Sequence, residues 1–178
     1  MFTEAQKRAL VEIARAAAIA WVTGDEIDPP AAGDLPIASG AFVTLKRRGQ
    51  LRGCLGTLEC RLPLAEEVAR LAASTTHEDP RFEPVGGWEL ADLTIEVSVL
   101  GPLEPIDPRS EGVIVIGRHG LVVEQGRRRG LLLPQVAPEW GWDRDLFLAH
   151  TCRKAGLPED AWKHGALVYR FEAEVFGD

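Results

Sequence analysis

The stretch that decides the fold is AFVTLKRRGQLRGCLGT, residues 41–57. Its first five residues, 41–45, are mostly apolar or β-branched, as is typical of a strand. Residues 46–50 form a charged turn with Gly49 at its tip, and the following LRGCL returns as a second strand. The pattern predicts a β-hairpin over residues 41–57.

The returning strand carries an unusual set of residues. Because side chains alternate along a strand, Arg52, Cys54 and Gly56 are predicted to share one face, with the intervening residues on the other. A guanidinium beside a thiol favours the thiolate, and Gly53 and Gly56 let a ligand or another chain segment approach the backbone. Two interpretations are open: a reactive Cys54 that a β-bulge directs into a cleft, or a small buried apolar residue in a bent strand.

Helices and antiparallel strands are predicted along the rest of the chain. The first predicted element is a helix at 3–21, with a Thr3–Gln6 capping box and an apolar face of Leu10, Ile13, Ala14, Ala17 and Trp21. It is followed by a helix from Pro63 to near Thr76, a strand at 93–100, three short strands within 112–133, and a helix capped by Asp143 and ended by Gly156. The last predicted element is a strand at 166–176 with Leu167, Tyr169, Phe171, Ala173 and Val175 on one face. No regular βαβ rhythm recurs, so the predicted class is α+β, with antiparallel sheets and flanking helices.

Composition limits the possible functions. The 178 residues suit one domain, or two small lobes with a shared core. No run of about 18 apolar residues and no signal-peptide pattern is present, which predicts a soluble cytoplasmic protein and no membrane partner. The net charge of −7 argues against nucleic-acid binding. Basic turns at 46–48 and 127–129 are solvated hairpin tips or, if they share a face, a surface for an acidic partner.

No metal site or cofactor is implied by the sequence itself. The three cysteines, Cys54, Cys60 and Cys152, are an odd number in a chain without a signal-peptide pattern, which predicts reduced thiols and no disulfide framework. The four histidines are scattered, so a zinc site is not expected. Neither the dinucleotide fingerprint nor the Walker A pattern occurs. The cofactor is therefore unknown.

The loop EDPRF, residues 78–82, is a second candidate for function. Pro80 favours an extended Asp79, and Arg81 has the donor geometry to bind a carboxylate or phosphate through two N–H groups. The alternative is a structural brace in which Asp79 pairs with Arg81 and Phe82 fills the core.

Two further motifs also have two interpretations. His119, within GRHGL at 117–121, is predicted to lie in a tight turn between strands. It is either an exposed turn residue or the base of a Cys–His pair with Cys54. The segment PEWGW, residues 138–142, either lines a cleft with tryptophan rings or packs at a helix start.

The blocks LRGCLGT, EDPRF, IEVSVL, RHGL and LLLPQVAPEWGWD occur in this order between about residues 38 and 172. Together they closely resemble the AMMECR family, whose bacterial and archaeal members are called protein A of the AmmeMemoRadiSam system. The resemblance implies a single AMMECR-type α+β domain over 1–178, with two lobes and a cleft between them. The larger lobe is predicted at about 1–100 plus 160–178, and the smaller at 101–159.

The resemblance also assigns motif residues and partners. The family's motif falls on Arg52, Gly53, Cys54, Gly56, Thr57, Asp79, Arg81, Phe82, His119, Gly120, Pro134 and Val136. The partners that the resemblance implies are a Memo-like protein and a radical SAM protein. The family has no securely established activity, and both an enzyme and an RNA-linked regulator have been supposed.

Two functions from different classes remain open. In the first, a cysteine-dependent enzyme acts on a small acidic substrate in the cleft, with Cys54 as nucleophile or thiol ligand and His119 as base. Arg52 or Arg81 would bind the substrate anion. The rest of the predicted binding site comprises Gly53, Gly56, Thr57 and Asp79. In the second, the protein is a non-catalytic adaptor for a Memo-like or radical SAM partner, and Cys54 is a packing residue.

Overall fold

The computed structural model describes residues 2–28, 31 and 33–178. The chain divides into two compact units, Met1–Leu100 with Glu174–Asp178 and Gly101–Ala173. They are called unit 1 and unit 2 below. The predicted lobes, at 1–100 plus 160–178 and at 101–159, and the cleft between them stay predictions.

Helix α1, Glu4–Thr23, is the first element of unit 1. The Thr3 hydroxyl accepts the Gln6 N–H at 3.2 Å, which confirms the predicted capping box. The face with Leu10, Ile13 and Ala14 is buried. Trp21 is 57% exposed, so its predicted place on the buried face is wrong. Its ring stacks on His77 instead, with centroids 4.3 Å apart.

The sheet of unit 1 contains the predicted hairpin. Strands β1, Gly40–Arg47, and β2, Gln50–Thr57, pair antiparallel, and β3, Leu93–Leu100, pairs with the other side of β1. Helix α2, Leu64–Thr75, starts one residue after Pro63. One face of the sheet packs with α1 and α2 around a common core. Its strand residues include Ala41, Val43, Leu45, Ile95, Val97 and Val99.

Unit 2 has its own strands and helices. Its strands are β4, Glu104–Ile106; β5, His119–Gln125; β6, Arg128–Leu132; and the part of β7, Leu167–Gly177, that lies before Glu174. Strand β5 pairs antiparallel with β6 and β7, and β4 pairs with β7. Helices α3, Val136–Trp140, and α4, Arg144–Lys154, follow β6. The Asp143 carboxylate caps α4 by accepting the Leu146 N–H at 2.9 Å, as predicted.

Two predictions in unit 2 are wrong in detail. Residues 112–133 contain two strands and not three, because the Val115 carbonyl accepts the N–H groups of Arg118 and His119 in a turn. In β7, Val168 is buried, whereas Leu167 and Val175, predicted on the shared face, are 56% and 52% exposed. The short β4 and α3, and the 3₁₀ helices Gly87–Asp92 and Ala161–Lys163, were not predicted.

The predicted α+β class with antiparallel strands is confirmed. Within the residues that the structure describes, no helix combines the length and apolar character needed to cross a membrane. In the same residues, no three side chains of His, Cys, Asp or Glu are grouped closely enough to hold a metal ion.

Candidate functional site

Strand β2 pairs with β1 on one side and is an edge strand of the sheet as far as it is described. Gly53 lies opposite Leu45, but the next pair is Leu51 with Lys46, so Arg52 is the extra residue of a β-bulge. Without this bulge, Gly53 would face Thr44. The bulge shifts the register by one residue and brings Cys54 opposite Thr44.

The Cys54 thiol lies on the sheet face opposite the α1–α2 core. Its cross-strand partner Thr44 alternates with the core residues Val43 and Leu45. The Thr44 hydroxyl donates a hydrogen bond to Cys54 Sγ, with a separation of 3.2 Å. Cys54 is half-buried and is not a member of the core cluster, whereas Cys152 is fully buried in the core of unit 2. These contacts fit an accessible thiol better than a packing residue.

The Asp79 carboxylate anchors the backbone at Cys54. Its Oδ2 accepts the Cys54 N–H at 2.9 Å and the Arg81 Nη2 at 2.7 Å. Its Oδ1 accepts the Arg81 Nε at 3.0 Å and the Arg81 backbone N–H at 3.1 Å. The Arg81 guanidinium holds the pKa of this buried carboxyl well below its usual range, and the Cys54 N–H adds to the effect against the cost of burial. Asp79 is therefore ionised.

Arg81 lies at the edge of β2 with part of its guanidinium unused. The side chain is 55% exposed, and Nη2 also lies 3.5 Å from the Cys54 carbonyl oxygen. Asp79 and Arg81 thus engage the N–H and C=O of Cys54 as a neighbouring strand would. In the described part of the chain, Arg81 Nη1 has no hydrogen-bond partner, so its two N–H groups are available to an anion.

Arg52 has a different environment. Its Nε and Nη2 donate to the two oxygens of Glu89 at 2.8 and 2.9 Å, and its Nη1 donates to the Glu83 carbonyl at 2.9 Å. The Arg52 side chain is 16% exposed and that of Glu89 is 5% exposed. Hydrogen bonding from Arg52 lowers the pKa of Glu89. Arg52 therefore fastens the segment from Glu83 to Glu89 against β2 with all three of its nitrogens.

The glycines of β2 are close to other parts of the same chain. A Cβ on Gly53 would lie 2.8 Å from the Thr75 carbonyl oxygen of α2, and the Phe42 ring occupies the position of a Cβ on Gly56. The Thr57 hydroxyl donates to the Glu59 carbonyl at 2.8 Å. Close packing accounts for both glycines, and a local turn accounts for Thr57.

His119 begins β5 in unit 2 and is 5% exposed, so the interpretation as an exposed turn residue is wrong. Its Nδ1 accepts the Val115 N–H at 3.0 Å, which places the proton of the neutral ring on Nε2. Burial lowers the pKa of His119, and the charges of Arg170 and Arg118 lower it further. The ring is thus a neutral group whose Nε2 donates. Its role as a base for Cys54, which belongs to unit 1, stays a prediction.

The remaining motif residues from the family resemblance lie near these groups or in unit 2. The Phe82 ring centroid lies 5.4 Å from the Arg81 guanidinium and 6.0 Å from that of Arg52. Gly120 leaves no room for a Cβ against the Phe171 ring. Pro134 is buried and Val136 begins α3.

Sequence reasoning missed Thr44 and Glu89. Regular pairing from the turn would place Thr44 opposite Gly53, so the hairpin pattern alone does not predict the contact between Thr44 and Cys54. That contact can be predicted only once the bulge at Arg52 is known. Glu89 carries no signal in the sequence, since it is 37 positions from Arg52.

Comparison with known proteins gives consistent matches along the chain. A family model described as AMMECR1 matches residues 11–176. A protein of Methanothermobacter thermautotrophicus is 46% identical over 178 residues, covering 95% of this chain and 92% of the relative. A protein of Thermococcus gammatolerans is 48% identical over 179 residues, covering 94% and 87%. The names of these relatives state no activity.

A solved structure has the same fold. The crystal structure of the uncharacterized protein PH0010 from Pyrococcus horikoshii matches with a TM-score of 0.80 and 43% sequence identity. The match covers 99% of this chain and 93% of that one.

Proposed function

The chain belongs to the AMMECR1 family, and we propose that it is a cysteine-dependent enzyme acting on a small acidic substrate. The observation that carries this proposal is the placement of the Cys54 thiol beside a hydroxyl donor, on a strand edge that Asp79 and Arg81 hold. A thiol, a donor to its sulfur and a free guanidinium nitrogen together suit nucleophilic attack on an anionic molecule.

Cys54 is the nucleophile in this proposal. The Thr44 hydroxyl donates to Sγ at 3.2 Å and so holds the sulfur in place on this face of the strand. The bond from the Cys54 N–H to Asp79 fixes the backbone that carries the thiol. The position of the sulfur is therefore set by residues of unit 1.

Arg81 binds the substrate anion, and Arg52 does not. The nitrogens of Arg52 are all engaged by Glu89 and backbone carbonyls. Arg81 keeps Nη1 free on a half-exposed side chain, while Asp79 holds the other edge of the guanidinium. A carboxylate or phosphate on Nη1 would lie next to the Cys54 carbonyl and place a reactive carbon near the sulfur.

The proposed step is a substitution at an electrophilic carbon of the substrate. The Cys54 thiol gives its proton to water, and the electron pair of the resulting thiolate forms the S–C bond. The bond to the leaving group breaks, and the leaving group departs with the electron pair of that bond and takes up a proton from water. A water molecule then attacks the same carbon, the S–C bond breaks with its electron pair on sulfur, and the sulfur takes a proton from that water, which regenerates the thiol. His119 is not required, since its Nδ1 is occupied by the Val115 N–H.

Alkylation with two reagents of similar size tests the proposal. Iodoacetate carries a carboxylate and iodoacetamide does not. Rates at each cysteine are read separately by mass spectrometry of peptides. If Arg81 binds anions, the iodoacetate-to-iodoacetamide rate ratio at Cys54 exceeds that of free cysteine by roughly tenfold, the equivalent of about 1.4 kcal/mol from one charge-assisted contact. Arg81→Gln removes the excess.

Controls are available in the same chain. Cys60 is half-buried, and burial raises the pKa of its thiol, so it reports labelling without the proposed site. Thr44→Val slows both reagents at Cys54 and leaves Cys60 unchanged, while Thr44→Ser keeps the rate. A Cys54 thiol that reacts only after the protein unfolds would make Cys54 a packing residue and refute the enzyme proposal.

A second candidate function is a non-catalytic adaptor for a Memo-like or radical SAM partner. The specific observation in its favour is the Trp140 side chain in α3, which is 71% exposed and stacks on Trp142 with centroids 6.2 Å apart. Large exposed aromatic rings are frequent anchors of protein interfaces. Co-elution of the purified proteins in size-exclusion chromatography tests it. An adaptor loses the complex in Trp140→Ala and keeps it in Cys54→Ser.

A further inference from the structure

The turn between β1 and β2 has an unusual backbone conformation. Arg48 and Gly49 both have positive φ, at +52° and +79°. Within the described residues, Arg48 is the only non-glycine residue with positive φ. Two-residue turns of this kind favour glycine, which has no Cβ to clash with the backbone at positive φ, and asparagine or aspartate, whose short polar side chains hydrogen-bond locally. An arginine is therefore held at the turn against the local preference, and backbone strain of this kind often accompanies a binding function.

The neighbouring Arg47 has unsatisfied hydrogen-bond donors. Its Nε is buried and has no hydrogen-bond partner among the residues described. Its Nη1 lies 3.7 Å from Glu89 and its Nη2 lies 3.5 Å from Asp92, and neither contact is a hydrogen bond. The guanidinium stacks over the Trp88 ring, 4.5 Å from the centroid, and that indole is 73% exposed. Because the side chain is 26% exposed and neither Nη group makes one of these hydrogen bonds, the Nη groups can bind an acceptor from outside.

These groups border one depression in unit 1. It has a volume of about 300 Å³ and is lined by Arg47, Arg48, Gln50, Leu51 and Arg52. The carboxylates near these arginines are those of Glu89, which binds Arg52, and Asp92, which accepts one bond from Arg48 at 3.0 Å. Both also lie within 3.7 Å of Arg47, and the charge of the exposed Glu83 acts on Arg52. Arg47 meets both Glu89 and Asp92 only at ion-pair distance, so its donors are the ones left for an added anion.

We propose that this depression binds the phosphate group of a small phosphorylated ligand. Arg47, with its face stacked on Trp88, offers its N–H edge to one side of a tetrahedral oxyanion. Arg48, whose side chain is 75% exposed, binds from the tip of the turn, and the Gln50 amide supplies a neutral donor. The site uses none of the groups assigned to chemistry at Cys54, so it stands or fails independently of the proposed enzyme function.

Titration with inorganic phosphate tests the site, with Trp88 fluorescence as readout and acetate at equal ionic strength as the carboxylate control. Trp88→Phe identifies the signal of that ring among the five tryptophans. Phosphate is expected to give a saturable change, and Arg47→Ala is expected to weaken binding about tenfold, the loss of one charge-assisted contact. Arg47→Lys keeps the charge but not the planar fork, and serves as a second variant if Arg47→Ala does not fold.

Two variants distinguish a specific phosphate site from general electrostatic attraction of phosphate to positively charged side chains. Asp92→Asn removes the carboxylate that competes for Arg48 and is expected to tighten phosphate binding severalfold. Arg127→Ala removes one positive charge at the other basic turn and is expected to change nothing. A response to phosphate that does not saturate, equal effects of Arg47→Ala and Arg127→Ala, or weaker binding in Asp92→Asn would overturn the proposal.

Discussion

Two arginine–carboxylate pairs hold β2 near Cys54, and their environments differ. In the pair of Arg52 and Glu89, both side chains are largely buried, at 16% and 5% exposed, and every nitrogen of the guanidinium is engaged. In the pair of Arg81 and Asp79, the carboxylate is 3% exposed but the arginine is 55% exposed, and its Nη1 has no hydrogen-bond partner among the residues that the structure describes. The same bidentate geometry thus serves as a closed brace in one place and as an open binding group in the other.

Exposure decides which of these roles a pair can have. A buried pair costs desolvation on both sides, and removing one partner leaves an uncompensated charge. A half-exposed arginine is hydrated when its partner is lost, so the pair contributes less to stability and more to the orientation of its donors. The four predictions below test this contrast.

The largest effect is expected for Glu89→Ala. It leaves the buried Arg52 guanidinium without its carboxylate, and the free energy of unfolding should fall by about 3–5 kcal/mol. Urea unfolding followed by circular dichroism measures the loss. Glu83→Ala is the matched control, since Arg52 hydrogen-bonds the Glu83 carbonyl and feels its side chain only as an exposed, solvent-screened charge. It should change stability by less than about 0.5 kcal/mol. Equal losses in the two variants would contradict the assignment of Arg52 as a brace.

Asp79→Asn should have a smaller effect on stability. The amide keeps the shape but loses the charge that Arg81 and the Cys54 N–H bind, and Arg81 can turn toward water. The expected loss is about 1–3 kcal/mol in the same unfolding experiment. Glu78→Gln removes a charge from an adjacent residue that is more than half exposed and is expected to be near neutral. A loss in Asp79→Asn as large as that in Glu89→Ala would remove the contrast between the pairs.

The contribution of Asp79 should depend on pH. Because its pKa is lowered in the folded state, its stabilising effect is present above the unfolded value of about 3.9 and is lost as pH falls below that value toward the lower folded pKa. The stability difference between the natural chain and Asp79→Asn is therefore expected to shrink below about pH 4. Unfolding curves at pH values on both sides of that point measure it. A difference that stays constant would show that the charge of Asp79 contributes nothing.

The smallest change in stability is expected for Arg81→Lys. Lysine keeps the positive charge near Asp79, so unfolding should change by less than about 1 kcal/mol. The planar fork and the free Nη1 are lost, however, and the preference of Cys54 for iodoacetate should fall with them. Arg52→Lys is the counterpart: it should cost more stability because three engaged nitrogens are replaced by one. The reverse order would exchange the roles of the two arginines.

Local sequence patterns predicted much of unit 1. The hairpin and the strand at 93–100 were found because alternation and turn residues are local signals. In unit 2, residues 113–116 are apolar and were predicted as a strand, but their backbone leads into a turn. The Val115 carbonyl accepts the backbone N–H groups of Arg118 and His119, and the Val115 N–H donates to Nδ1 of the His119 ring. Such pairing depends on the fold and leaves no periodic signal.

The candidate site was only partly predictable. Motifs drew attention to Cys54, Asp79 and Arg81, but the contacts that join Cys54 to Asp79 and Arg81 span 25 and 27 positions of the chain. The bulge at Arg52 brings Thr44 opposite Cys54. At the same position, the Arg52 side chain binds Glu83 and Glu89, which follow Phe82 in the chain. The sequence contains these groups but not the register that joins them.

The loop that carries Asp79 and Arg81 also bears on how copies of the protein behave at high concentration. A strand edge with free backbone groups is a template on which another chain can pair, and such pairing starts aggregation. At Cys54 the edge is covered by charged side chains of the same molecule. Self-association through this part of β2 must first displace Asp79 and Arg81, so the loop that orients the proposed anion-binding group also helps to keep the protein dispersed.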